Sequence, residues 1–241
     1  MQKGELISIA FTGKDASTGK VFDTTDQDVA KKEGLETQGK NFGPVPIIVG
    51  QGEILPGLDE SLLSMKVGDS KKITLEAAKA FGERNPQLVR VLPLSEFKKN
   101  NISPVPGTIV NANDMLGKVQ SVSGGRVRVD FNPDLAGKTV EYELKVVKHY
   151  TESKDQLDAL VKKAFPAWEK PQVKHEKDIV ELIAPIKEMT KIQRNVPGFA
   201  KLVLEVVKGT KEIKVTTLFV AEDFKRMHTH ADGSEHWDHH E

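Results

Sequence analysis

The stretch "GQGEILPGLDESL", Gly50–Leu62, sets two bulky apolar residues, Ile54 and Leu55, directly before Pro56-Gly57. Turns are normally built from Gly, Pro, Asn, Asp and Ser, and face water. Placing Ile-Leu in a turn suggests that it leans over an apolar space that stays open. After it, Leu58, Leu62 and Met65 fall at i, i+4 and i+7, one face of a short helix, and "KVGD" (66–69) closes that helix. On either side, "PVPIIVG" (44–50) reads as a short buried strand and "SKKITLEA" (70–77) as another. Upstream, "LISIAF" (6–11) is a strand, and "TGKDASTGKVFDTT" makes a hairpin-like connection with Gly13 and Gly19 as turn signals. Residues 26–41 are polar and read as a surface loop or short helix. One helix among several strands predicts a sheet wrapped around it.

The chain has 241 residues, with 38% hydrophobic and 29% charged, enough for one to three domains with a real core. Its formal net charge is zero, which gives no electrostatic reason for a nucleic-acid partner. It has no cysteine, so thiolate and disulfide chemistry are excluded and a cytoplasmic location is expected. The start, "MQKGELISIAFTGK", lacks an apolar core long enough for a signal peptide, and no run approaches the length of a membrane helix.

The pattern changes near Asn85-Pro86. "QLVRVLPLSEF" (87–97) is strand-like, and "KVQSVSGGRVRVDF" (118–131) is two alternating runs about Ser123-Gly124-Gly125, a hairpin signal. "NPDLAGKTVEYELKVVKHY" (132–150) then turns into a long alternating strand. The expected division is a first domain of residues 1–86 and 131–150, interrupted by a small β unit at 87–130. An α+β unit follows at 153–226, then a histidine-rich tail at 227–241. In the third unit, Ser153–Phe165 reads as a helix capped by Ser153 with Gln156 three residues on. "KDIVELIAPIKEM" and Glu212–Val220 read as strands or mixed segments, and Asn195–Gly209 as a helix. Leu202, Val203, Val206 and Val207 would serve either that unit's core or a homodimer seam.

The ordered set "AFTGK…GKVFDTT…VGQGEILPGLDESLLSMKVGDSKKITL…AFG" resembles the FKBP family of peptidyl-prolyl cis-trans isomerases. The interruption after "AFGERNP" and the return "NPDLAGKTVEYELKVV" are similar to its SlyD-like branch, which carries an insert-in-flap domain there. With the extra C-terminal unit, the chain resembles the archaeal long type. The resemblance implies an α+β fold: an FKBP-like antiparallel sheet wrapped on a short helix, with an inserted β domain and a C-terminal α+β domain.

It also implies a prolyl pocket formed by Phe11, Phe22, Asp23, Val45, Ile54, Leu55, Leu58, Phe81 and Tyr142, with the Leu55 N–H holding a substrate carbonyl. Phe22-Asp23 matches the family's "FD" pair. Leu58 takes the floor position that is often Trp, Phe11 a position often Tyr, and Phe81 a position where Tyr usually donates a hydroxyl. Taken singly, each apolar residue is ordinary core and Asp23 an ordinary turn residue; only the ordered set points to a pocket.

Peptide-bond rotation faces a barrier of ~18–20 kcal/mol because resonance stiffens the C–N bond. A dry apolar pocket favours the twisted amide, which has lost that resonance, over the planar hydrated one, so no cofactor is required. In the insert, Leu88, Val89, Val91, Leu92, Leu94, Phe97, Ile102 and Val105, together with Ile109, Met115 and Leu116, exceed what about 44 residues can bury, so the resemblance implies a surface for unfolded or proline-containing polypeptides. The tail residues His228, His230, His236, His239 and His240 are a candidate nickel or zinc site, as in the histidine-rich tails of SlyD-like proteins. The leading expectation is a prolyl isomerase with chaperone activity. The alternatives are a holdase with little turnover and a metal-binding accessory protein.

Overall fold

The computed structural model describes residues 1–112, 115–168 and 170–220, together with the backbone of 227–229 and 235–237. It contains three sheets, each with its own core, plus a short backbone pairing of Met227–Thr229 with Glu235–Trp237. The class is α+β.

The first sheet is antiparallel throughout. Its backbone is β1 (Leu6–Asp15), which pairs along one side with β9 (Val140–His149). On its other side it pairs with β3 (Val45–Ile48) near its start and β2 (Val21–Thr24) near its end. Strand β4 (Ser70–Leu75) closes the far edge against β9. Helix α2 (Pro56–Leu62) lies across the sheet. Leu58 and Leu62, with Met65 just beyond the helix, are buried against Ile7, Ile9, Ile73, Tyr142 and Leu144. Pro56 occupies the first turn, where a missing N–H costs nothing. Gly57 is required there, because a Cβ would run into the Leu75 side chain of β4. The polar stretch after β2 forms α1 (Gln27–Lys32), capped by the Asp26 carboxylate on the N–H groups of Asp28 and Val29.

β1 runs four residues past the expected end of the strand. Gly13, read as a turn signal, is a strand residue, and the turn falls at Ala16–Gly19 instead. Asp15 organises that turn. Its carboxylate accepts from Ser17 N–H and Oγ and from Thr18 N–H, and it pairs with Lys138 at 2.9 Å. These partners hold its pKa well below the ordinary carboxylate value.

The second sheet, ordered β5-β8-β7-β6, is made of β5 (Val89–Pro93), β6 (Ile109–Ala112), β7 (Met115–Ser123) and β8 (Arg126–Asp130). The strand-like reading of 87–97 stops at Pro93. Residues Leu94–Lys99 form helix α3, which drops Phe97 into a core with Val110, Val119, Val127, Val129 and Phe131. A polar clasp marks where this unit leaves the first sheet. Arg84 pairs with the buried Asp130. Asn85 and Asn132 exchange two hydrogen bonds of 2.8 and 3.0 Å.

The third sheet, β10-β11-β12, combines β10 (Gln172–Glu176) antiparallel to β11 (Ile179–Pro185) and β12 (Glu212–Leu218) parallel to it. A parallel pair needs a helical crossover, here α5 (Ile186–Ile192) and α6 (Val196–Val206). The mixed "KDIVELIAPIKEM" thus divides at Pro185, where strand gives way to helix. Helix α4 (Ser153–Ala164) covers the same core. Ser153 is not its cap: Glu152 holds that position without a side-chain bond, and Gln156 instead donates to the Tyr150 carbonyl at 3.0 Å. Val203, Val206 and Val207 are buried with Phe165, Trp168 and Phe199.

The first and third units share a wall. Alternation along β1 and β3 sends Ile7, Ile9, Ile47 and Val49 into the first core, while Leu6 and Ile48 point the other way, into the core of α4 and α6. That is why the end of "PVPIIVG", Ile47 to Val49, is apolar without interruption: it is covered on both faces, while Pro44 and Val45 are exposed.

Candidate active site

The first sheet, the turn before α2 and the segment after β4 enclose a cleft of about 370 Å³. It is lined by Phe11, Asp23, Ile54, Leu55, Leu58, Phe81 and Tyr142, with Gly52, Glu53 and Pro56. Two of the nine expected residues stand outside this lining. Val45 is on β3, opposite Ile9, and exposed. Phe22 stands behind the wall and holds two of its rings.

The rings form a continuous chain. Phe11 meets Tyr142 at 5.9 Å between centroids, Tyr142 meets Phe22 edge-on at 5.8 Å, and Phe22 meets Phe81 edge-on at 5.6 Å. Edge-to-face contacts at these separations are attractive and directional. One backbone detail permits them. Gly13 lies in register with Asp23 on one side and Tyr142 on the other, at a bulge in β1. A Cβ on Gly13 would fall 2.7 Å from Tyr142 Cε1 and 3.0 Å from Phe22 Cζ. Gly13→Ala is therefore expected to push both rings aside and lower kcat/KM on a prolyl tetrapeptide about tenfold, near 1.4 kcal/mol of transition-state stabilisation. Far-ultraviolet circular dichroism should be unchanged. An unaltered kcat/KM would show that the cleft tolerates displaced rings.

The polar groups are few. Asp23 is exposed at its rim, yet enough of its carboxyl is shielded that desolvation raises its pKa, partly offset by the Thr24 N–H and Lys40. Burial, with the negative charge of Asp23 second, also raises the pKa of the Tyr142 hydroxyl, which stays protonated. The flanking threonines fix this corner: Thr25 N–H donates to the Phe11 carbonyl at 2.9 Å, and Thr25 Oγ1 accepts the Phe11 N–H at 2.9 Å.

The Leu55 carbonyl receives the N–H groups of Leu58 and Asp59, opening α2, while its own N–H finds no acceptor among the described residues. The Ile-Leu turn is thus half-buried, apolar towards the cleft, and carries a donor at its rim. Gly52 and Glu53 of the same turn also line the cleft, beyond the expected pocket residues. Glu53 Oε2 accepts the Ile48 N–H at 3.2 Å and pairs with Lys163 of α4 at 2.8 Å, a partner that local spacing does not reveal.

Such a cleft offers aromatic and aliphatic walls, one carboxyl and one backbone donor. It contains no nucleophile paired with a base, and among the described residues no cluster of histidines and carboxylates is placed to hold a metal. The tail histidines lie outside the described residues, apart from the backbone of His228 and His236. This is an environment for a conformational step on a bound amide rather than for bond cleavage.

Comparison with known proteins points the same way. Residues 1–97 match the family model for FKBP-type peptidyl-prolyl cis-trans isomerase, and residues 90–135 match the model described as FKBP26, IF domain. The chain is 30% identical to a short-type peptidyl-prolyl cis-trans isomerase of Methanocaldococcus jannaschii, over 61% of this chain and 92% of that one. It is 34% identical to a probable FKBP-type 16 kDa isomerase of Pseudomonas fluorescens, over 48% and 80%. It is 26% identical to the SlyD isomerase of Treponema pallidum, over 65% and 82%. No helix among the described residues is long and apolar enough to cross a membrane. With a relative 30% identical over 92% of its own length, and the family model over residues 1–97 spanning every residue of the cleft lining except Tyr142, the chain belongs to the FKBP-type peptidyl-prolyl cis-trans isomerases.

Proposed function

We propose that this isomerase is a cytoplasmic folding chaperone: its inserted domain captures unfolded, proline-containing chains and its cleft turns their prolyl bonds. The observation that carries the reading is the insert's exposed apolar surface. Val91, Val105, Ile109 and Leu116 are 59%, 58%, 58% and 68% exposed on a domain that already fills its own core. Beside β6, an edge strand, Leu92, Phe97 and Ile102 line a small cleft with Val110 and Ala112, while Leu88, Val89 and Leu94 are half-buried at the domain's rim. Apolar patches flanked by unpaired strand edges suit extended, unfolded segments.

In the cleft, the prolyl ring would sit over Leu58 among Phe11, Phe81 and Tyr142, with the Leu55 N–H holding the carbonyl that follows the proline. X–Pro bonds exchange over tens to hundreds of seconds unaided, so stabilising the twisted amide alone accelerates folding. Asp23 adds a charge beside the rotating amide.

Phe81 favours a second reading, a holdase with little turnover. It places no hydroxyl where one is expected, which removes a hydrogen bond worth ~0.5–1.5 kcal/mol. Refolding of a proline-limited protein separates the two. Acceleration at one chain per hundred substrates is expected for the enzyme; acceleration only near equimolar amounts would make it a holdase. For self-association, the third domain exposes Ile179, Leu204, Val215, Leu218, Phe219 and Val220. A nickel or zinc site in the histidine-rich tail would be a separate property of that tail.

A further inference from the structure

The turn that forms one wall of the cleft is soft by composition. Gly50 and Gly52 both adopt left-handed backbone, at φ 80° and 69°. Two carboxylates restrain it. Asp59 accepts the N–H groups of Gly50 and Gly52 at 2.8 and 3.4 Å. Glu53, immediately before Ile54-Leu55, accepts the Ile48 N–H and the ammonium of Lys163. Lys163 comes from the last turn of α4 in the third domain and also donates to the Pro46 carbonyl at 3.1 Å. One ammonium therefore ties β3 and the cleft wall together from a domain 110 residues away in sequence. The side chains of Lys163 and Glu53 are only 24% and 21% exposed, more shielded than an ordinary surface pair.

We propose that Lys163 is a positioning residue for prolyl isomerisation, through which the C-terminal domain sets the geometry of the Glu53-Ile54-Leu55 wall. The proposal rests on the isomerase activity, which turnover by the unaltered chain checks independently. Small misplacements of groups that bind a reacting centre have large kinetic consequences. The wall is held at few points, and removing one of them loosens the donor at Leu55 and the apolar surface of Ile54.

Lys163→Met keeps the aliphatic stem and removes the charge. It is expected to lower kcat/KM on a tetrapeptide about three- to tenfold, mainly through KM, with little change in melting temperature. Lys163→Arg should restore most of the loss. Glu53→Gln probes the same pair from the other domain, and the double variant should be no worse than Lys163→Met alone, because both changes break one link. Unaltered kcat/KM in Lys163→Met, no rescue by arginine, or losses that simply add in the double variant would each overturn the proposal.

Discussion

Phe22→Ala is expected to lower kcat/KM on a prolyl tetrapeptide by about tenfold or more, a loss of at least 1.4 kcal/mol of transition-state stabilisation. Phe22 does not line the cleft, yet its ring buttresses both Tyr142 and Phe81 through edge contacts. Removing it lets both rings lean back, and the enclosed surface for the proline spreads open. Phe22 is half-buried, so its loss leaves the sheet standing. Tyr142→Ala attacks the same wall but is the poorer probe. Tyr142 is only 4% exposed within the core, where truncating an aromatic costs ~3–5 kcal/mol of stability. Activity in Phe22→Ala equal to that of the unaltered chain, with native circular dichroism, would move the reacting bond away from this cleft.

Replacing residues 87–130 with a short loop should produce a divided result. Activity on an unfolded protein substrate is expected to fall about a hundredfold, the scale of gain that a second, linked binding module gives. Activity on a tetrapeptide should fall far less, and suppression of aggregation should vanish. The deletion is geometrically mild. The insert leaves and re-enters at one place, where Asn85 bonds Asn132 and the Phe131 N–H donates to the Leu88 carbonyl at 2.9 Å. Its core is separate from that of the first sheet. Equal losses on the two substrates would mean that the insert completes the pocket instead of feeding it.

The fold class was legible because its signals are local. A short, mostly apolar run marked β1, alternation marked β9, the i, i+4, i+7 spacing of Leu58, Leu62 and Met65 marked α2, and Ser123-Gly124-Gly125 marked the β7–β8 hairpin. What failed was also local in form but decided at a distance. Gly13 looks like a turn residue until the rings of Tyr142 and Phe22 are placed over it. Ser153 looks like a cap, but Gln156 is drawn to the Tyr150 carbonyl instead of reaching back. In the cleft, the resemblance supplied the apolar residues and the turn that Glu53 begins, while the tie made by the Glu53 side chain is not legible because its ammonium partner stands on another domain. Phe22 was placed in the wall although its contribution is to hold the wall up.

The strand covered on both faces bears on how such a chain can be shortened or lengthened in evolution. A family member ending after β9 must present the outward side of β1 and β3 to water, so the positions of Leu6 and Ile48 would there be under pressure to become polar. In this chain both side chains are almost wholly removed from solvent, at 1% and 2% exposure, by residues more than a hundred positions downstream. The third domain is thus more than a module on a tether: it sets the solvent for one face of the first sheet. Removing it would leave a greasy seam next to the peptide-binding turn, where stray chains would adhere outside the cleft.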